Sequence, residues 1–250
     1  MNVAVMIPTY NEREAIALLL PQIAKVQIPE VEIQVLIIDD NSPDKTSEYV
    51  ESLNLPFVQV LNRAKKDGLG RAYMAGIKYF LQDPKVTHLI SMDADGSHRV
   101  IDLIKLIDSA KTHPKASLII GSRWVKGGGI VNWPLSRKLL SRTGTAYARF
   151  ALKLKISDLT GGFKVYPRWA VDKINLEKIT SNGYCYQIEM AHAFSQLSAP
   201  IVEEPITFIE REVGVSKMSQ RIVVEAMWQV TRWGLTLRLH PSADKLHYVK

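Results

Sequence analysis

Three observations predict an α/β protein with a mainly parallel central sheet flanked by helices. Short runs rich in Val and Ile alternate with longer stretches of helical period through residues 1–120, the pattern of crossover units. The runs are apolar along their length, as buried strands are. Four of the five end in a polar signature, and ligands of open α/β sheets sit beyond the carboxyl ends of the strands.

In chain order, a first strand over 2–7 (NVAVMI) leads to a helix over 12–26. Asn11 can cap that helix, and Glu12 and Glu14 suit its positive end. A second strand over 33–38 (IQVLII) runs into Asp39, Asp40 and a helix over 43–52. The third strand, 57–61, precedes a helix over 68–81; the fourth, 88–92, precedes a helix over 100–112; the fifth covers 117–120. Beyond Gly121 the pattern loosens into a Gly-rich loop over 126–134 and a basic helix over 135–154. Strands over 161–166 and 199–209 then surround a short helix near 187–196, and an amphipathic helix over 218–239 ends the pattern. With no repeat and no long linker, the chain divides into a single main domain, 1–217, and a helical extension, 218–250.

The 46% hydrophobic and 23% charged residues of this 250-residue chain exclude disordered and fibrous classes. A lone cysteine, Cys185, makes no internal disulfide or zinc cluster and fits a reducing cytosol. No signal peptide is read at the N-terminus. A membrane span needs about 20 consecutive apolar residues, and the best candidate, 222–239, contains Glu225, Arg232 and Arg238. A soluble or peripheral protein is expected. The net charge of +7 is unevenly spread: residues 1–120 carry 13 Lys and Arg against 15 Asp and Glu, residues 121–250 carry 19 against 10. Residues 123–155 hold eight basic side chains and no acidic one. Such a stretch is either a solvated basic face or a site for phosphate groups.

Each strand end offers chemistry. Tyr10, in PTYNE, could stack on a base. Of Asp39 and Asp40, one can cap the helix from Pro43 while the other accepts a hydrogen bond from a base or ribose. Asp93 and Asp95, in DADGSH, straddle a bend and can place oxygens around one hard cation, Mg²⁺ or Mn²⁺, shared with a diphosphate. His98 can join as a ligand or orient the loop. Arg123, Arg137, Ser141 and Arg142 sit at loop and helix positions suited to phosphate. Gly68-Leu69-Gly70 does not complete a dinucleotide fingerprint, which argues against NAD.

In order, PTYNE, IIDDNSPD, GLGRA, DADGSH, GSRWVKGGG with VNWPLSR, DLTGGFKVY, GYCYQIEM and ERxxGxSKM resemble the inverting GT-A (Rossmann-like) glycosyltransferases of family 2. Within them the match is to the dolichol-phosphate, or polyprenol-monophosphate, mannose synthases. The resemblance implies that Pro8, Tyr10, Glu12, Ile38 and Asp40 hold the nucleoside of GDP-mannose. It implies that Asp93 and Asp95 bind metal and diphosphate, with Ala94 contributing backbone, and that Arg211 and Lys217 grip the diphosphate. Arg123, Arg137 and Ser141 would receive the phosphate of a polyprenyl (dolichyl) phosphate, which makes Asp93, Asp95 and Arg123 the catalytic set. Some archaeal members place a Gln metal ligand where this chain has Ser97. The stretch 229–233 matches the QxxRW signature of processive polysaccharide synthases, but with no set of membrane helices we read that match as chance.

A lipid phosphate is already an anion near neutral pH, with a second pKa of about 6. Cations to position it and a metal for the leaving group would then suffice, with no general base. The implied reaction is a single displacement with inversion at the cytosolic membrane face, with a membrane-anchoring partner an open possibility and nucleic acid not a partner. The alternative is another donor, such as UDP-glucose, or a non-lipid acceptor. The final helix could lie on a membrane or pack on the domain.

Overall fold

A computed structural model describes residues 1–210, 220–239 and 248–250. The elements are β1 (Asn2–Thr9), α1 (Arg13–Ile23), β2 (Glu32–Asp39), α2 (Thr46–Ser52), β3 (Val58–Asn62), α3 (Leu69–Phe80), β4 (His88–Ser91), α4 (Val100–Thr112) and β5 (Leu118–Ser122). They continue with β6 (Gly129–Val131), α5 (Leu135–Leu152), β7 (Lys164–Pro167), α6 (Arg168–Val171), α7 (Gly183–Ser195), β8 (Ile201–Pro205), β9 (Thr207–Ile209) and α8 (Gln220–Leu239).

Seven strands form one sheet in the order β3-β2-β1-β4-β7-β5-β8. All pairings are parallel except those of β7, which runs against both β4 and β5. The order turns back between β1 and β4, so a crevice opens at their carboxyl ends. Alternate residues of each strand feed two cores. On one face Ala4, Met6, Leu36, Ile38 and Leu89 pack under α3, α5, α7 and α8. On the other, Val3, Val5, Ile7, Val35, Ile37 and Ile90 pack under α1, α2 and α4. Burial on both faces explains why these strands are apolar throughout.

The structure revises several sequence boundaries. The loop over 126–134 contains β6, and the single strand expected over 199–209 is two, because β8 ends at Pro205 and β9 leaves the main sheet to pair in parallel with β6. Proline has no N–H to continue the ladder. Ile206 then turns its own N–H back onto the Ser122 carbonyl at 3.1 Å. The second helix begins at Thr46 rather than Pro43, since Asp44 accepts from the Thr46 N–H at 3.1 Å and Lys45 takes a positive φ of 58°. The helix expected near 187–196 starts at Gly183.

The described part of the 218–250 extension shares the main core. Val230 and Tyr248 are buried in the cluster of α3 and α7, and the Tyr248 hydroxyl donates to Glu189 Oε1 at 3.0 Å. Gly234 lies so close to α5 that a Cβ there would stand 2.9 Å from the Ala151 carbonyl oxygen. The other side of α8 is open: Val224, Trp228, Leu235 and Leu239 are exposed along one stripe.

Candidate active site

The chain turns sharply after β1 and β2, where Asn11 and Asn41 both take a φ of 57°, a left-handed conformation that Asn tolerates. Asp39 ties these turns together. Its Oδ1 accepts from Thr9 Oγ1 at 2.9 Å and Ser42 Oγ at 2.6 Å, and its Oδ2 accepts from the Ser42 N–H at 2.8 Å. Neither Asp39 nor Asn11 caps a helix: the α1 and α2 starts have no side-chain cap bond, and the Asn11 N–H donates to Ser42 Oγ. Asp40, the residue assigned to a nucleoside, lies beside Arg63, whose Nη1 donates to its Oδ1 at 2.6 Å. Burial raises the Asp40 carboxyl above its ordinary range while Arg63 pulls it down. Tyr10 and Glu12, just after β1, are half-buried, with Lys66 Nζ 3.9 Å above the Tyr10 ring. Pro8 is half-buried, but Ile38 is fully buried against the Gly76 position, so only its main chain can meet a ligand.

The Asp93-Ala94-Asp95 bend follows β4 directly. Tyr73 Oη donates to Asp93 Oδ1 at 3.1 Å, and burial together with that carboxylate keeps the Tyr73 phenol protonated. His98 orients the bend, for the Asp93 N–H donates to its Nδ1 at 3.0 Å. Its ring stacks on Phe163 at 4.5 Å, and burial lowers its pKa against the pull of Asp93 and Asp95. A neutral ring accepting at Nδ1 carries its proton on Nε2, 3.9 Å from Asp93 Oδ2. Asp95 Oδ1 accepts from the Ser97 N–H at 3.1 Å.

The donor set here suits a hard divalent cation. The side chain of Asp93 is 33% exposed, and Ser97 Oγ is a buried oxygen without a partner among the described residues. No group of three His, Cys, Asp or Glu gathers among the described residues. Two carboxylates with ligand oxygens and water are a usual arrangement for Mg²⁺ held against a diphosphate.

Arg123, assigned to the acceptor phosphate, is tied into the fold by Asp158. It is 6% exposed and grips buried Asp158 with Nε at 2.7 Å and Nη2 at 2.7 Å, while its own N–H donates to Asp158 Oδ2 at 3.0 Å. Burial raises the Asp158 carboxyl, but the Arg123 charge and hydrogen bonds outweigh it and leave the pKa lowered. The Arg123 guanidinium is paired with Asp158 and set among Trp133 and Phe208 at 5.2 and 5.5 Å. Its Nη2 also donates to Thr160 Oγ1 at 2.8 Å, and Thr160 shares a hydrogen bond with Ser141 at 3.2 Å. Arg137 lies over the same Trp133 ring at 4.1 Å and is paired with Glu210, whose Oε1 it reaches at 2.5 Å. Arg137 Nε and Trp133 Nε1 are buried donors without partners among the described residues. The three residues assigned to an acceptor phosphate thus do converge, and Phe208, which also meets His98 at 5.7 Å, separates them from the Asp93 bend. Arg211 and Lys217 lie outside the described residues.

Sequence reasoning assigned no role to Arg63, Tyr73, Asp158, Lys164 or Glu210. One signal was present: Asp158 is the first acidic residue after the acid-free stretch 123–155. Lys164 lies buried beneath the site and donates to the Gly161 carbonyl at 2.6 Å and Gln187 Oε1 at 2.6 Å; burial pushes it down to about 7.

Residues 4–174 match the family model described as Glycosyl transferase family 2. The chain belongs to that family. This family 2 glycosyltransferase is 45% identical to the undecaprenyl-phosphate mannosyltransferase of Micrococcus luteus, over 95% of this chain and 96% of that one. It is 42% identical to the polyprenol monophosphomannose synthase of Mycolicibacterium smegmatis, over 94% of this chain and 88% of that one. The glycosyltransferase also shares its fold with glucosyl-3-phosphoglycerate synthase from Mycobacterium tuberculosis. A complex of that protein with Mn²⁺, UDP and glucosyl-3-phosphoglycerate superposes with a TM-score of 0.61 at 17% identity, covering 95% of this chain and 79% of that one. A second, with Mg²⁺ and UDP, gives 0.60 over the same shares. The single domain with a mostly parallel sheet is thus the GT-A fold.

Proposed function

We propose that this glycosyltransferase moves mannose from GDP-mannose to a polyprenyl monophosphate, with inversion at the anomeric carbon. The observation that carries the reading is the apposition of two chemistries: paired carboxylates after β4, and cations with orphaned donors around Trp133, one aromatic ring apart. The two mannosyl-transferring relatives support the sugar and the lipid phosphate.

In this reading Tyr10, Glu12 and Asp40 hold the nucleoside with the main chain at Pro8 and Ile38. Asp93 and Asp95, with the backbone at Ala94, would hold Mg²⁺ or Mn²⁺, which supplies charge neutralisation for the departing diphosphate. Arg211 and Lys217 are assigned to the diphosphate from the resemblance. Arg137 and Ser141 orient the lipid phosphate, and Arg123 positions Thr160 and the aromatic wall behind it. The nucleophile is already anionic, so orientation and charge stabilisation do the work. Residues 1–217 are the catalytic part. None of the described helices is long and apolar enough to cross a membrane. The exposed apolar stripe of α8 instead suits peripheral docking on a lipid surface.

The test uses radiolabelled GDP-mannose, a polyprenyl monophosphate in detergent, and Mg²⁺ or Mn²⁺, followed by organic extraction. Metal-dependent label in the organic phase, lost in Asp95→Ala and carrying a β-linkage, is the expected result. Transfer only from UDP-glucose would correct the donor, and a retained α-linkage would overturn the single displacement.

A further inference from the structure

A basic cavity lies beside the acceptor cluster, and the reaction proposed above gives it no role. It measures about 410 Å³ and is walled by Trp124, Lys126, Ile130, Lys138 and Arg142, with the glycines at 127–129 as its floor and no acidic lining residue. A tight approach shapes it: a Cβ on Gly128 would stand 2.6 Å from the Ser122 carbonyl oxygen, so the loop lies flat on the end of β5. The Arg123 guanidinium at its inner edge is already neutralised by Asp158. Lys126, Lys138 and Arg142 make no ion pair among the described residues; Arg142 lies 5.0 Å from the Trp124 ring, and Trp124 Nε1 is a buried donor without a partner there. The cavity thus offers three uncompensated cations and an orphaned N–H, which is the chemistry of a phosphate-bearing anion.

The surroundings narrow the source. At about 100° per residue on α5, Lys138 and Arg142 share one flank. The neighbouring face carries Leu135, Leu139 and Phe150, exposed by 83%, 65% and 74%. Arg137 and Ser141 are turned to a different flank, toward Glu210 and Thr160. A charged pocket edged by exposed apolar side chains complements a head group whose acyl chains lie beside it. We propose that this cavity binds the phosphodiester head group of an anionic phospholipid, a docking subsite separate from the acceptor phosphate. The inference rests on the reading that the enzyme works at a lipid surface.

The full chain is tested for sedimentation with vesicles of phosphatidylcholine, alone or mixed with phosphatidylglycerol. Wild type binds the mixed vesicles more tightly, and raised salt weakens that binding. Lys138→Gln/Arg142→Gln should lose about tenfold or more of that preference. Its KM for a short-chain, detergent-soluble prenyl phosphate should stay within about twofold, and Lys138→Arg/Arg142→Lys should restore the vesicle preference. Unchanged vesicle binding in the Gln variant overturns the subsite. A rise in KM for the short acceptor, in step with lost vesicle binding, overturns its separateness and assigns the cavity to the acceptor. Should wild type transfer no sugar to any prenyl phosphate, the functional reading fails while the vesicle arm still decides the cavity.

Discussion

Arg123 and Asp158 define the chemistry that single residues contribute. Both are buried, and together they tie the end of β5 to the turn before β7. Removing one partner leaves an uncompensated buried charge, at a cost of about 3–5 kcal/mol. Arg123→Met should therefore lower the urea midpoint sharply in addition to any loss of turnover. A variant that is inactive yet fully stable would return Arg123 to direct phosphate binding. Arg137 poses the opposite case, since Glu210 already pairs with the cation that the proposed function gives to the lipid phosphate. Glu210→Gln is expected to lower the acceptor KM several-fold and leave the donor KM unchanged. Equal shifts in both would mark the pair as structural.

Elements meet where small residues allow it, and α8 is the clearest instance. Its Gly234 faces the backbone of Ala151 on α5, and Tyr147 shares a hydrogen bond with Thr231 at 2.5 Å beside that contact. Gly234→Ala sets two effects against each other. Alanine favours a helix by about 0.8–1.0 kcal/mol over glycine, whereas overpacking costs about 1–3 kcal/mol. The obstacle is a backbone carbonyl rather than a flexible side-chain end, so the clash should win and Tm should fall. A higher Tm would show that α8 does not dock on α5 as described. The stretch 229–233 lies within this packed helix, where Val230 is buried.

Acid stability belongs to the whole molecule, because its buried carboxylates bind elements distant in sequence. Asp102 accepts from Arg99, from Lys105 and from the Thr207 N–H; Asp158 accepts from Arg123 and the Gly161 N–H. Burial opposes ionisation of both, but their cationic and N–H partners prevail, and both fall below the usual carboxylate value of 3.8. A lowered folded pKa contributes stability that is fully present above the unfolded value and is lost as pH falls through the folded one. Urea midpoints should hold down to about pH 5 and decline below about pH 4. Asp102→Asn should be less stable at neutral pH and show a shallower acid decline; an unaltered slope would remove Asp102 from that linkage.

What the sequence determined by itself is local. Burial on two faces makes β1, β2, β4 and β5 apolar runs, and Asp93 and Asp95 stand just beyond one of them. Those relations span a few residues, so periodicity and spacing carry them, and the family's motifs carry the rest of the alignment. Partnership is decided only in three dimensions. Arg123 finds Asp158, Arg63 finds Asp40, and Glu210 finds Arg137 across 35, 23 and 73 residues. The split of β8 from β9 is likewise tertiary, because Ile206 must satisfy its N–H on Ser122 once Pro205 has ended the ladder. A basic side chain reads the same in sequence whether it is neutralised inside the fold or left free, and burial against Asp158 distinguishes Arg123 from Lys138 and Arg142 of α5.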